Sequence, residues 1–233
     1  MNKRLESEYR EFIYKGEQTP FSLGTLAVVI FCTTLLIVAT FTKIDLSHWW
    51  FLSGDNGLFW GIKKHNLVPQ IPVVMLTSAL LGVRFGSLVV LLYLLIGFFL
   101  YPVFGFGGGL EYIKSYFFGY ILGFFAAVLF GGRILSSKFN TKNMILASII
   151  GVLAIHSCGI FYSFILGIFK TFPYHPNFGV IFAQIIYDIL FSMFAIIIAK
   201  PLKYVFWIAM KNEPKKSKNN NQPKRKKAKK DKN

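Results

Sequence analysis

Apolar residues fall along this chain in long unbroken blocks. Residues 21–42 hold only small hydroxyls among their polar side chains. That is enough apolar length to cross a hydrocarbon core of ~30 Å, which takes ~20 residues of helix. The pattern recurs over residues 67–83, 86–104, 116–134, 144–169 and 178–198. Pro69 and Pro72 open the second block, and Arg84 leaves room only for a tight turn before the third. Lys200, Pro201 and Lys203 close the sixth. Lys43 to Asn66 is a mixed segment whose Trp49, Trp50 and Trp60 suit a membrane interface. The pattern predicts an all-α membrane protein: a compact bundle of about six transmembrane helices over residues 21–207, with no internal repeat.

The flanks differ in kind. Residues 1–20 interleave Lys3, Arg4, Arg10 and Lys15 with Glu6, Glu8, Glu11 and Glu17. A cleavable signal would carry an apolar core there, and a transit peptide would lack acids, so this reads as a polar arm on the mature chain. Residues 208–233 are Lys, Asn and Pro with almost nothing apolar, which predicts a disordered tail.

Charge then sets an orientation. The formal net charge is +16, but 13 of the 26 Lys and Arg lie from Lys200 onward against two acids. The basicity therefore belongs to the tail and gives no reason to expect a nucleic-acid partner. With six spans, the side holding both ends, Arg84 and the Arg133–Lys142 loop collects 21 basic residues against five opposite. The excess assigns both termini to the cytoplasmic face of a multi-pass cell-membrane protein. A tail of this kind attracts anionic lipid heads at ~1 kcal/mol per Lys or Arg near the surface.

Nothing in the chain points to an enzyme or a cofactor. No Gly-Lys dipeptide occurs, so there is no P-loop, and no HExxH or CxxC is present. Cys32 and Cys158 sit in apolar segments and define no disulfide framework.

The candidate chemistry is polar groups at membrane depth. Asp188 is the one acid within the six spans, about ten residues into the last. A carboxylate there must be paired, protonated or wet, which marks it as functional. The alternative is a structural hydrogen bond to Tyr187, Tyr93 or His156. Gln184 lies one turn before Asp188 on the same face. His156, beside Ser157 and Cys158 in span five, reads as a packing residue. Gly119 and Gly123 form a small-xxx-small pair that lets another helix approach closely. The loop from Gly105, with Gly107, Gly108 and Gly109 in succession, is either a ligand-approaching backbone or a plain connector.

The order of motifs resembles a known family. Ile71-Pro72, Gly82-Val83-Arg84-Phe85-Gly86, Leu92-Tyr93-Leu94-Leu95-Ile96-Gly97, Tyr101-Pro102-Val103-Phe104, Gly107-Gly108-Gly109 and Gly119-Tyr120-Ile121-Leu122-Gly123-Phe124 follow one another. So do Gly159 and Asp188. Together they are similar to the biotin-specific S component (BioY family) of energy-coupling-factor vitamin transporters, over residues 68–203. The resemblance implies a six-helix protein that binds a vitamin from outside and joins an energy-coupling transmembrane subunit and ATPases. It implies ligand contacts at Asp188, Gln184, Tyr93, Tyr120, Gly107, Gly108 and Gly109. The chain departs from the pattern at Val74 and Leu76, at Tyr116-Phe117-Phe118-Gly119, and at Phe191, where the family has polar groups or a Pro-Thr-Gly-Gly turn. The segment from Gly179 to Asp188 also runs one residue long. The expected function is uptake of biotin or a similar small vitamin. An S-component-like protein with a more apolar ligand, or a non-transporting scaffold whose tail binds lipid, are the alternatives.

Overall fold

The computed structural model describes residues 21–54, 57–169 and 178–211. The N-terminal arm, the Lys170–Asn177 loop and the tail beyond Lys211 lie outside the described residues.

Helix α1, Leu23–Phe41, starts where Ser22 accepts a hydrogen bond from the Thr25 amide, a side-chain N-cap. Its buried hydroxyls turn back on their own helix: Thr33 donates to the Val29 carbonyl at 2.9 Å. Lipid offers no partner, so such back-bonding is how a hydroxyl is satisfied in a membrane helix.

The helical stretch Gln70–Leu95 is broken at Gly82, whose φ of 67° and ψ of −165° suit only glycine. It divides there into α2 (residues 70–81) and α3 (residues 83–95), and the two fold back on each other. Gln70 and Tyr93 meet at 3.1 Å, whereas a straight helix would separate them by roughly 35 Å. Five helical stretches are long and apolar enough to cross a membrane, Gln70–Leu100 among them. Because that stretch doubles back, the described residues form six helices, close to the six predicted spans, though α2 at 12 residues is shorter than the ~20 a full span takes.

A π-helical turn, Ile96–Leu100, ends α3. The next segment leaves the helix, so span three stops short of the predicted Phe104. The Phe104 ring lies where a side chain on Gly97 would stand. Gly109 donates to the Gly97 carbonyl at 2.8 Å, folding the glycine-rich loop back over the end of α3. A short 3₁₀ turn, Leu110–Lys114, follows.

Helices α4, Phe118–Ser137, and α5, Thr141–Ile168, form an antiparallel hairpin. Asn140 caps α5 by accepting from the Asn143 amide at 2.9 Å. Gly119 and Gly123 lie hard against Tyr162 and Ile155 of α5, so the small-residue pair does bring a second helix in. Helix α6, Phe178–Lys211, continues through Pro201 well past the predicted end at residue 198 and into the stretch assigned to the tail. Proline removes one backbone bond there, but packing continues beyond it: Lys203 reaches the Ala79 carbonyl at 3.4 Å, and Trp207 is buried.

The mixed segment is the main departure from an all-helical reading. It forms an antiparallel hairpin of β1, Ile44–Gly54, and β2, Gly57–Leu67, paired from Ile44↔Leu67 to Gly54↔Gly57. Leu67 therefore ends a strand and does not start span two.

Candidate functional site

A cavity of about 400 Å³ opens where the ends of α1, α2 and β2 meet the loop at Gly105 and α4, α5 and α6. Its floor is polar. Asp188 of α6 is fully buried there, and both of its oxygens are held. Gln184 Nε2 donates to Oδ1 at 3.0 Å, and His156 Nε2 lies 3.0 Å from Oδ2. A carboxylate only accepts, so Nε2 carries the imidazole proton. The other ring nitrogen, Nδ1, is buried without a protein partner. The Tyr120 ring stands edge-on to His156, with centroids 5.6 Å apart and planes at 89°. It occupies the space left by the missing side chain of Gly159.

The middle of the cavity is apolar, walled by Ile71, Ile121 and Phe124. Phe106 stacks on Phe117 at 4.5 Å and 24° near the opening, where Lys43 and Asn66 are exposed. Tyr112 lines the wall, and burial pushes its phenol up to about 12. It therefore remains protonated throughout the physiological range.

Gln70 is fixed by its neighbours. Its Nε2 donates to Thr40 Oγ1 at 2.6 Å and to the Tyr93 hydroxyl at 3.1 Å. Thr40 gives its own proton to the Leu36 carbonyl at 3.0 Å, and Tyr93 gives its proton to the Val103 carbonyl at 3.2 Å. Both hydroxyls thus act as acceptors toward Gln70, and the amide nitrogen is fully used.

The cavity brings Asp188, Gln184 and Tyr120 together. Tyr93 is completely buried behind the wall and reaches the cavity only through Gln70 and Thr40. Gly107, Gly108 and Gly109 do not line it either; Gly105 and Phe106 do. Gly107 and Gly109 take positive φ, and Gly108 presses on the Pro102 backbone, so the triplet shapes the loop. His156 was read as a packing residue, yet it stands at the floor. The signal was available: it lies 12 residues before the end of α5, and Asp188 lies 10 residues after the start of α6. In antiparallel helices those positions share a depth.

The BioY family model matches residues 14–206 of this chain. The probable biotin transporter BioY of Lysinibacillus sphaericus is 38% identical over 104 residues, covering 42% of this chain and 53% of that protein. The chain thus spans about half the length of the curated relative it matches. A crystal structure of the S-component for biotin from an ECF-type ABC transporter superposes with a TM-score of 0.56 at 17% identity. That superposition covers 77% of this chain and 90% of the other, a likeness of fold. With the family model running from before α1 to the far part of α6, the chain, a multi-pass membrane protein, belongs to the BioY family.

Proposed function

We propose that this protein is the substrate-binding membrane component of an uptake system for biotin or a closely similar vitamin. In this reading it works with a separate energy-coupling transmembrane subunit and ATPases. The observation that carries it is the fully buried Asp188 carboxylate at the floor of a cavity whose middle is walled by Ile71, Ile121 and Phe124. A carboxylate at the floor is an acceptor, and a cyclic urea presents N–H donors of matching character. The apolar middle suits a small apolar ring system and its methylene tail. Four basic residues, Arg84, Arg133, Lys138 and Lys203, belong to the Gly82 turn, the α4–α5 connection and the end of α6, away from the opening. They support a cavity that opens outward with both termini in the cytoplasm.

The test is titration of the purified full-length protein in nanodiscs with biotin and a panel of other vitamins. Saturable one-site biotin binding supports the reading. A second reading, a more apolar ligand, is favoured by the apolar walls, and preferential binding of such a compound over biotin would establish it instead.

A further inference from the structure

The charges lining the cavity are segregated along its depth. Asp188 is fully buried at the floor, and Lys43 is exposed at the opening. Lys43 is the one Lys or Arg among the described residues that line the cavity. It follows directly on the end of α1 at Phe41, whereas Asp188 lies ten residues into α6, roughly 15 Å of helix.

The donors near each end are committed differently. At the floor, Gln184 Nε2 and His156 Nε2 both point at Asp188. The floor therefore presents acceptor character and negative charge, and a ligand anion there would face the carboxylate. At the opening, the Gln70 amide hydrogens go to Thr40 and Tyr93, and the Thr40 proton goes to Leu36. Those groups have no proton left for a ligand. Lys43 has three N–H donors, a full positive charge and no acidic partner among the described residues.

From this segregation we infer that Lys43 is a specificity-determining residue: it receives the anionic end of the substrate at the opening and sets the molecule's direction, N–H donors first. The inference rests on the biotin reading above and adds to it a residue and an orientation. A solute with donors at one end and a carboxylate at the other fits the two poles in one direction only. Reversing it would set carboxylate against carboxylate and donors against an ammonium. The substrate class is thus a small apolar-bodied acid. Neutralising the acid removes a favourable contact while leaving the buried end untouched.

The test uses the full chain in nanodiscs, with biotin and its methyl ester as probes. Wild-type protein is expected to prefer biotin over the ester by roughly three- to tenfold, the range for a partly exposed charge pair. The preference should shrink as salt rises. Lys43→Gln should bring the two affinities within about twofold by weakening biotin alone. Lys43→Arg should retain the preference, and Lys43→Glu should reverse it. Lys43 is exposed, so these variants are expected to fold, and ester binding reports that they have. Equal binding of acid and ester by the wild type, or a preference that survives in Lys43→Gln, overturns the inference while leaving biotin binding intact. Absence of binding by either probe to the wild type overturns the functional reading and this inference with it.

Discussion

Gly159→Ala probes the wall of the cavity without touching a polar group. A methyl placed at Gly159 would stand 2.5–2.6 Å from three carbons of the Tyr120 ring. Carbon atoms rest at about 3.5–4.0 Å, so the ring must retreat by about 1 Å. Behind the methyl is the backbone of α5, and α4 already sits against that helix at Gly119 and Gly123. The ring therefore yields toward His156 and the cavity. Overpacking of this kind costs ~1–3 kcal/mol, partly offset by ~0.5–1 kcal/mol from replacing a helical glycine. We expect a net loss of stability of up to ~2 kcal/mol. Biotin affinity should fall about tenfold or more, the consequence of ~1–3 kcal/mol lost when a pocket wall intrudes. The assay is thermal unfolding and biotin titration on the same nanodisc preparation. Gly167→Ala, on the same helix with nothing within 4 Å of the new methyl, is the control and should match or exceed wild-type stability. Tyr120→Leu added to Gly159→Ala should recover melting temperature without recovering affinity. If Gly159→Ala binds and melts like Gly167→Ala, the placement of Tyr120 against α5 is wrong.

Three further outcomes are expected. Asp188→Asn keeps an oxygen for Gln184 and turns a donor toward His156 Nε2, which can accept it once the imidazole proton moves to the unpartnered Nδ1; biotin affinity should drop about 5- to 150-fold, from ~1–3 kcal/mol, while stability changes little. A destabilised Asp188→Asn with normal affinity would make Asp188 a packing residue. Gly82→Ala forces a side chain into positive φ at the α2–α3 fold-back and should cost ~1–3 kcal/mol in thermal stability, so an unchanged melting curve would refute the tight turn. Cysteines introduced at the exposed Lys138 and Leu110 should be labelled by a membrane-impermeant reagent from the cytoplasmic and outer side respectively, and the reverse pattern would overturn the orientation.

The helices were legible because hydrocarbon thickness selects for long apolar runs, and polar breaks must fall between them. Arg84 announced a tight turn, and Gly82 supplies the backbone angle that turn requires. Two features were missed for identifiable reasons. The adjacent Trp49 and Trp50 broke the alternation that announces a strand, and the interface preference of tryptophan competed with it. The Asn56-Gly57 pair was nevertheless a hairpin signal. Pro201 reads as a helix end, since proline forfeits a backbone bond. Burial of Trp207 and the reach of Lys203 to α2 hold the helix together past it.

The site was less legible than the fold, because its groups act across helices. Asp188 stood out by cost alone: an acid at membrane depth has to be accounted for. Gln184 followed from helical spacing. His156 could not be separated from a packing residue by its own neighbours, since what makes it part of the site is a carboxylate 32 positions away in sequence. Tyr93 presents the opposite case: it is buried behind the wall and does not line the cavity. Its hydroxyl does serve the cavity, but by receiving a proton from Gln70 and passing its own to the Val103 carbonyl. A motif can mark such a residue as belonging to the site without saying which side of the wall it stands on. Donor counting supplies that answer: every proton of Thr40, Tyr93 and the Gln70 amide nitrogen is already given to the protein, so at the opening the positive charge that meets an anion is that of Lys43, with Asn66 a neutral donor at the same opening.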